Sequence, residues 1–87
     1  MSTADLIHAR LAALAPETCT LEDESAQHHG HAGAASGGGH YRLIIVSSKF
    51  RNLSTLSRHR LVYETLGELM QREIHALSIT ALTPEEL

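Results

Sequence analysis

The sequence predicts an α/β domain of the two-layer α+β kind, with one three-stranded sheet covered on one face by helices. Three observations lead there. Two segments carry apolar residues at helical spacing, three others alternate or are rich in β-branched side chains, and 87 residues leave room for one domain only, residues 1–87.

The elements follow in chain order. Ser2 stands three residues before Asp5, the spacing of a capping box, and Leu6, Ile7, Leu11 and Leu14 then share one helical stripe up to Pro16. From Thr18 the pattern switches to alternation, with Cys19 and Leu21 facing one way and Thr20 and Glu22 the other, so a half-buried strand is expected towards Ser25. Residues 26–39 (AQHHGHAGAASGGG) hold no large apolar side chain and predict a flexible His- and Gly-rich loop, a length that in a small domain points to function or tolerated disorder. His40 to Val46 (HYRLIIV) is the strongest strand signal, expected to pair antiparallel with the first strand and to end at Ser47 and Ser48. Asn52 suits a left-handed backbone position, and Ser54 or Ser57 can cap the next helix. Between Leu56 and Glu73, apolar residues at Val62, Leu66, Leu69 and Met70, flanked by His59 and Tyr63, predict the longest helix, with Gly67 as a close approach to the sheet. His75 to Ala81 (HALSITA) predicts the third strand, with His75, Leu77 and Ile79 on one face, and Thr83-Pro84-Glu85-Glu86 has the form of a helix start.

Composition narrows the function classes. The chain is 43% hydrophobic and 20% charged with net charge -3, which predicts a soluble folded domain and not a disordered tail or a strongly cationic nucleic-acid wrapper. Seven histidines against one cysteine exclude a disulfide framework or an all-cysteine zinc site, so any metal must rest on imidazole. No apolar run approaches the ~18 residues of a membrane span, and no signal peptide is visible, so a cytoplasmic protein without membrane attachment is expected. Enzyme signatures are missing: there is no phosphate-binding glycine loop, Cys-x-x-Cys, or nucleophile with a base at recognisable spacing.

Two constellations remain. His28, His29 and His31 cluster on the glycine-bounded loop, where neutral imidazoles could hold a metal or simply form a polar linker. His75 opens a strand directly after a helix; spacing alone favours a cap on the helix C-terminus over a ligand. The basic residues Lys49, Arg51, Arg58 and Arg60 fall in one stretch around a helix start, an arrangement that could receive phosphates or form a solvated face. Gly30-His31-Ala32-Gly33 matches the backbone clamp of a KH module, but it lies between strands and is set aside as coincidence. Glu22-Asp23-Glu24 suits a solvated edge and Cys19 a buried, inert thiol.

Several strings together resemble the BolA family: Asp23-Glu24-Ser25 with His28 three places on, His40-Tyr41, Val46-Ser47-Ser48-Lys49-Phe50, Arg58-His59-Arg60 with Tyr63 and Leu66, and Ile74-His75-Ala76-Leu77. The resemblance covers nearly the whole chain and implies a class II KH-like fold in the order α-β-β-α-α-β. It also implies a non-enzymatic adaptor that pairs with a monothiol glutaredoxin and shares a glutathione-assisted 2Fe-2S cluster, the chain alone being a monomer or weak dimer. By position His75 and His28 would be the ligands from this chain, with His29 and His31 as competitors in the loop, and the thiolates would come from the partner and glutathione. Histidine ligation raises a cluster's potential and makes it proton-sensitive, which suits cluster transfer or iron and redox signalling. Asn52 stands where many relatives have Gly. Some relatives are transcriptional regulators, so DNA binding through residues 49–60 is the alternative implied.

Overall fold

Ser2 begins the first helix, α1 (Thr3–Leu11), as a full capping box. Its hydroxyl accepts a hydrogen bond from the Asp5 N–H at 3.1 Å, and the Asp5 carboxylate accepts one from the Ser2 N–H at 3.2 Å. A 3-10 turn at Ala12–Leu14 and a left-handed Ala15 (φ 47) then redirect the chain into strand β1 (Thr18–Asp23). The computed structural model describes residues 1–25 and 39–87; the predicted loop therefore lies outside the described residues, except for Gly39, which instead opens strand β2 (Gly39–Val46). Helix α2 (Thr55–Leu66) and strand β3 (Ile74–Leu82) complete the regular elements.

The sheet has the order β1-β2-β3. β1 lies antiparallel to β2, as expected of strands joined through one loop, with Cys19 opposite Ile45 and Leu21 opposite Leu43. β2 and β3 are parallel, since the intervening helix returns the chain to the end from which β2 started. One sheet face packs on the helices: Tyr41, Leu43 and Ile45 meet Ile7, Leu11, Val62 and Leu66 in a single buried core, with Phe50 fully enclosed. Burying Phe50 and its aliphatic neighbours stabilises this layer by about 1.5–3 kcal/mol per large side chain.

Two details differ from the sequence expectation, and one alternative it left open is decided. The helix between β2 and α2 is only a 3-10 turn at Ser48–Phe50, because Arg51 returns to extended ψ and Asn52 takes the left-handed conformation (φ 65) expected of it. Ser54, not Ser57, caps α2, its hydroxyl accepting from the Ser57 N–H at 3.1 Å. The long helix stops at Leu66, where Gly67 (φ 57) allows a backbone turn that a side chain would resist, and a 3-10 segment Gly67–Gln71 follows. Gly67 thus ends the helix and does not approach the sheet; its nearest side chain is Arg10, whose guanidinium donates to the Leu66 carbonyl at 3.0 Å.

Candidate functional site

The parallel pairing brings the first residues of β2 and β3 to one end of the sheet. Three backbone links hold that end. The Gly39 N–H donates to the Glu73 carbonyl at 2.9 Å, the Glu24 N–H donates to the His40 carbonyl at 2.7 Å, and the His40 N–H donates to the Ser25 hydroxyl at 3.0 Å. Ser25 is itself placed by its N–H donating to the Asp23 carboxylate at 2.9 Å, and the Ser25 side chain first and this backbone bond second lower the Asp23 pKa. Asp23 and Glu24, which sequence patterning places with Glu22 on a solvated edge, therefore join Ser25 in the clasp that fixes His40.

Parity placed His75 with Leu77 and Ile79. The ladder slips instead: Gly39 pairs with Ile74 but His40 pairs with Ala76, leaving His75 as the extra residue. Ile74 is buried in its place, and His75 is exposed. Such irregularities re-aim side chains, and here the slip sets the His75 ring against that of His40, with centroids 5.0 Å apart and planes tilted by 39°. His75 also stands well beyond Leu66, so it caps no α-helix. Beside the pair is an open cleft of about 290 Å³ lined by Glu24, His40, Tyr41, Ala76, Leu77 and Ser78. Glu24 pairs with Arg42 at 3.0 Å on its rim. Burial is the main cause of the raised pKa of Tyr41, whose ring covers Gly39 so closely that a Cβ there would overlap it.

At the opposite end of β2 and β3 lie the basic residues. Arg51 forks onto Glu85, its Nε donating at 2.8 Å, and this contact raises the Arg51 pKa and lowers that of Glu85. Arg58 donates to the Leu53 and Ala81 carbonyls, both at 3.0 Å, and to the Glu86 carboxylate at 2.6 and 3.3 Å. Glu86 also accepts from the Thr83 N–H at 2.7 Å, and the Arg58 contact leads the causes that hold its pKa down at about 2. Lys49 and Arg60 remain exposed. The helix start expected at Thr83 is thus a capped 3-10 turn, Pro84–Glu86, that neutralises two of the four cations.

Across residues 11–86 the chain matches the family model described as BolA-like protein. The chain belongs to the BolA family. It is 46% identical over 74 residues to BolA-like protein 1 of Mus musculus, covering 85% of this chain and 52% of that protein, so it spans about half the length of that relative. It is 38% identical over 71 residues to a Haemophilus influenzae protein named DNA-binding transcriptional regulator BolA, covering 82% of this chain and 66% of that protein. Among solved structures, the BolA domain of SufE1 from Arabidopsis thaliana superposes with TM-score 0.87 at 40% identity, covering 100% of this chain and 98% of that one.

Within this BolA fold, the site residues named from the sequence separate. His75 is exposed at one end, Lys49, Arg51, Arg58 and Arg60 are at the other, and His28, His29 and His31 lie outside the described residues. His40, which has no distinct role in the sequence pattern, is the residue the fold adds. Its signal was a strand-opening His aligned by parallel pairing with another strand-opening His, and the pairing direction could not be read from local pattern. Cys19 packs against the core, and burial raises its thiol pKa, in keeping with an inert role. Among the described residues no three His, Cys, Asp or Glu side chains converge on a metal position, and no helix is long and apolar enough to cross a membrane.

Proposed function

We propose that this chain is a non-enzymatic adaptor that docks on a monothiol glutaredoxin and contributes His75 to a glutathione-assisted 2Fe-2S cluster, acting in cluster assembly or transfer or in iron and redox signalling. The observation that carries the reading is the register slip that turns an imidazole out of the β3 parity and leaves it exposed at the open end of the sheet. A single imidazole fills one position of a metal, so a ligand of this kind suits a group whose remaining ligands are thiolates of another molecule. When bound, the cluster supplies one-electron chemistry at a potential set by its ligands. The chain's own part is to present a neutral imidazole, which detaches on protonation, and to hold the β2 and β3 ends rigid through Ser25, Glu24 and Glu73. His28, with His29 and His31 as alternatives, is the proposed second ligand from the loop. A cytoplasmic setting belongs to the same reading.

The test mixes the chain with a monothiol glutaredoxin, glutathione, iron and sulfide and records visible circular dichroism. A spectrum distinct from that of glutaredoxin alone is expected, and His75→Ala should abolish the difference; a mixed-complex spectrum untouched by that substitution defeats the ligand assignment.

The name of the bacterial relative supports a second reading, DNA binding through residues 49–60. Lys49 and Arg60 are the exposed cations it would use, since Arg51 and Arg58 are engaged by Glu85 and Glu86. Duplex binding at low salt that weakens steeply as salt rises would support it, and no binding at low salt would remove it.

A further inference from the structure

We infer that His40 and His75 together form a two-imidazole chelate for a single first-row divalent ion, a site that needs neither the loop histidines nor a partner protein. The inference goes beyond the shared cluster, because the ion would be mononuclear and held by the chain alone, its other positions filled by water.

Ring spacing is the first support. A coordinating nitrogen lies about 2.0–2.1 Å from zinc and roughly 1.1 Å from its ring centre, so two imidazoles bound side by side at about 90–110° have centres about 4.4–5.2 Å apart. The observed 5.0 Å falls in that interval. Plain ring stacking also spans such distances, so spacing alone does not decide. The second support is the backbone. Regular pairing would put His75 in the Leu77 row, but the slip between Gly39 and His40 removes it from that row and places it beside His40. Slips of this kind are uncommon in parallel pairs. Preorganisation is the third. The His40 backbone is held on both sides by Glu24 and Ser25, and Gly39 is tied to Glu73, so the two rings do not have to be gathered on binding. Glu24 lines the adjoining cleft with its carboxylate paired to Arg42 at 3.0 Å, so it is not counted among the ligands.

Imidazole suits zinc, copper and nickel, and zinc is the probe of choice because it is diamagnetic. The experiment titrates zinc alone into the full chain carrying His28→Ala, His29→Ala and His31→Ala, followed by NMR of the imidazole nitrogens and by calorimetry. One ion per chain is expected, with the His40 and His75 resonances shifting together. Adding His40→Ala or His75→Ala should each weaken binding about tenfold or more, and the two combined should cost little beyond either alone, as losing either arm of a chelate does. Backbone amide spectra of each variant report that it is folded. Failure of the loop-substituted chain to bind zinc, movement of His75 alone, or an affinity unaffected by His40→Ala would overturn the inference. The glutaredoxin reading stands or falls separately, on the visible spectrum of the mixed complex.

Discussion

The two ends of the β2–β3 pair are built on opposite principles. At the end where the strands finish, Arg51 and Arg58 are answered by Glu85 and Glu86, and Arg58 also satisfies the Leu53 and Ala81 carbonyls. At the end where they begin, the backbone is secured but the imidazole of His75 is presented outward, beside that of His40. The difference separates the two clusters that the sequence offered. Charges met by partners inside the fold serve the fold, whereas a donor turned outward by a break in the ladder is available to something else.

That contrast can be broken by substitution. The largest stability effect is expected at the closed end, where Arg58→Ala removes donors from two carbonyls and a carboxylate; a loss of about 2–4 kcal/mol in urea unfolding is expected, against about 0.5 kcal/mol or less for exposed Arg60→Ala. Equal costs for the two would mean that the Arg58 contacts do not form in solution. Next comes Gly39→Ala at the open end. Its new Cβ would sit 2.7 Å from the Tyr41 ring carbon Cζ, and the crowding should cost about 1–3 kcal/mol by the same unfolding measurement.

Acid should act on the closed end in a defined window. The Glu86 pKa is lowered from 4.5 to about 2 in the folded chain, so its contribution is fully present above the unfolded value and is lost as pH falls from about 4.5 to about 2. Glu85, at the same end, shifts in the same direction. Thermal midpoints measured across this range should fall less steeply for Glu86→Gln than for the parent chain, and parallel curves would contradict the assignment. The smallest stability change is expected for His75→Ala, within about 0.5 kcal/mol, because an exposed side chain outside the core is removed. A large loss there would make His75 a structural residue and erase the contrast.

Most of the fold could be read from local pattern. The Ser2 capping box, the Cys19/Leu21 alternation, the β2 run and the left-handed Asn52 each depend on neighbours within a few residues, and each appears where expected. The end of α2 was misplaced because Met70 and Leu69 continue the helical stripe, while the positive φ of Gly67 outweighs it. The site was less readable for a physical reason. The His40–His75 contact joins residues far apart in sequence through a register slip, and the Arg58–Glu86 pair depends on where the last turn folds back. Neither leaves a periodic trace. Family resemblance singled out His75, but its exposure and its neighbour come from the fold.

The central claim, that the open end faces the partner and its metal, is tested most directly by amide NMR of the isotopically labelled chain in the mixed complex with a monothiol glutaredoxin, glutathione, iron and sulfide. Paramagnetic broadening should centre on His40 and on Ile74 to Leu77, while signals of Lys49 to Arg60 and of Thr83 to Glu86 stay sharp. Broadening centred on the basic segment, or none around His75, would contradict the account.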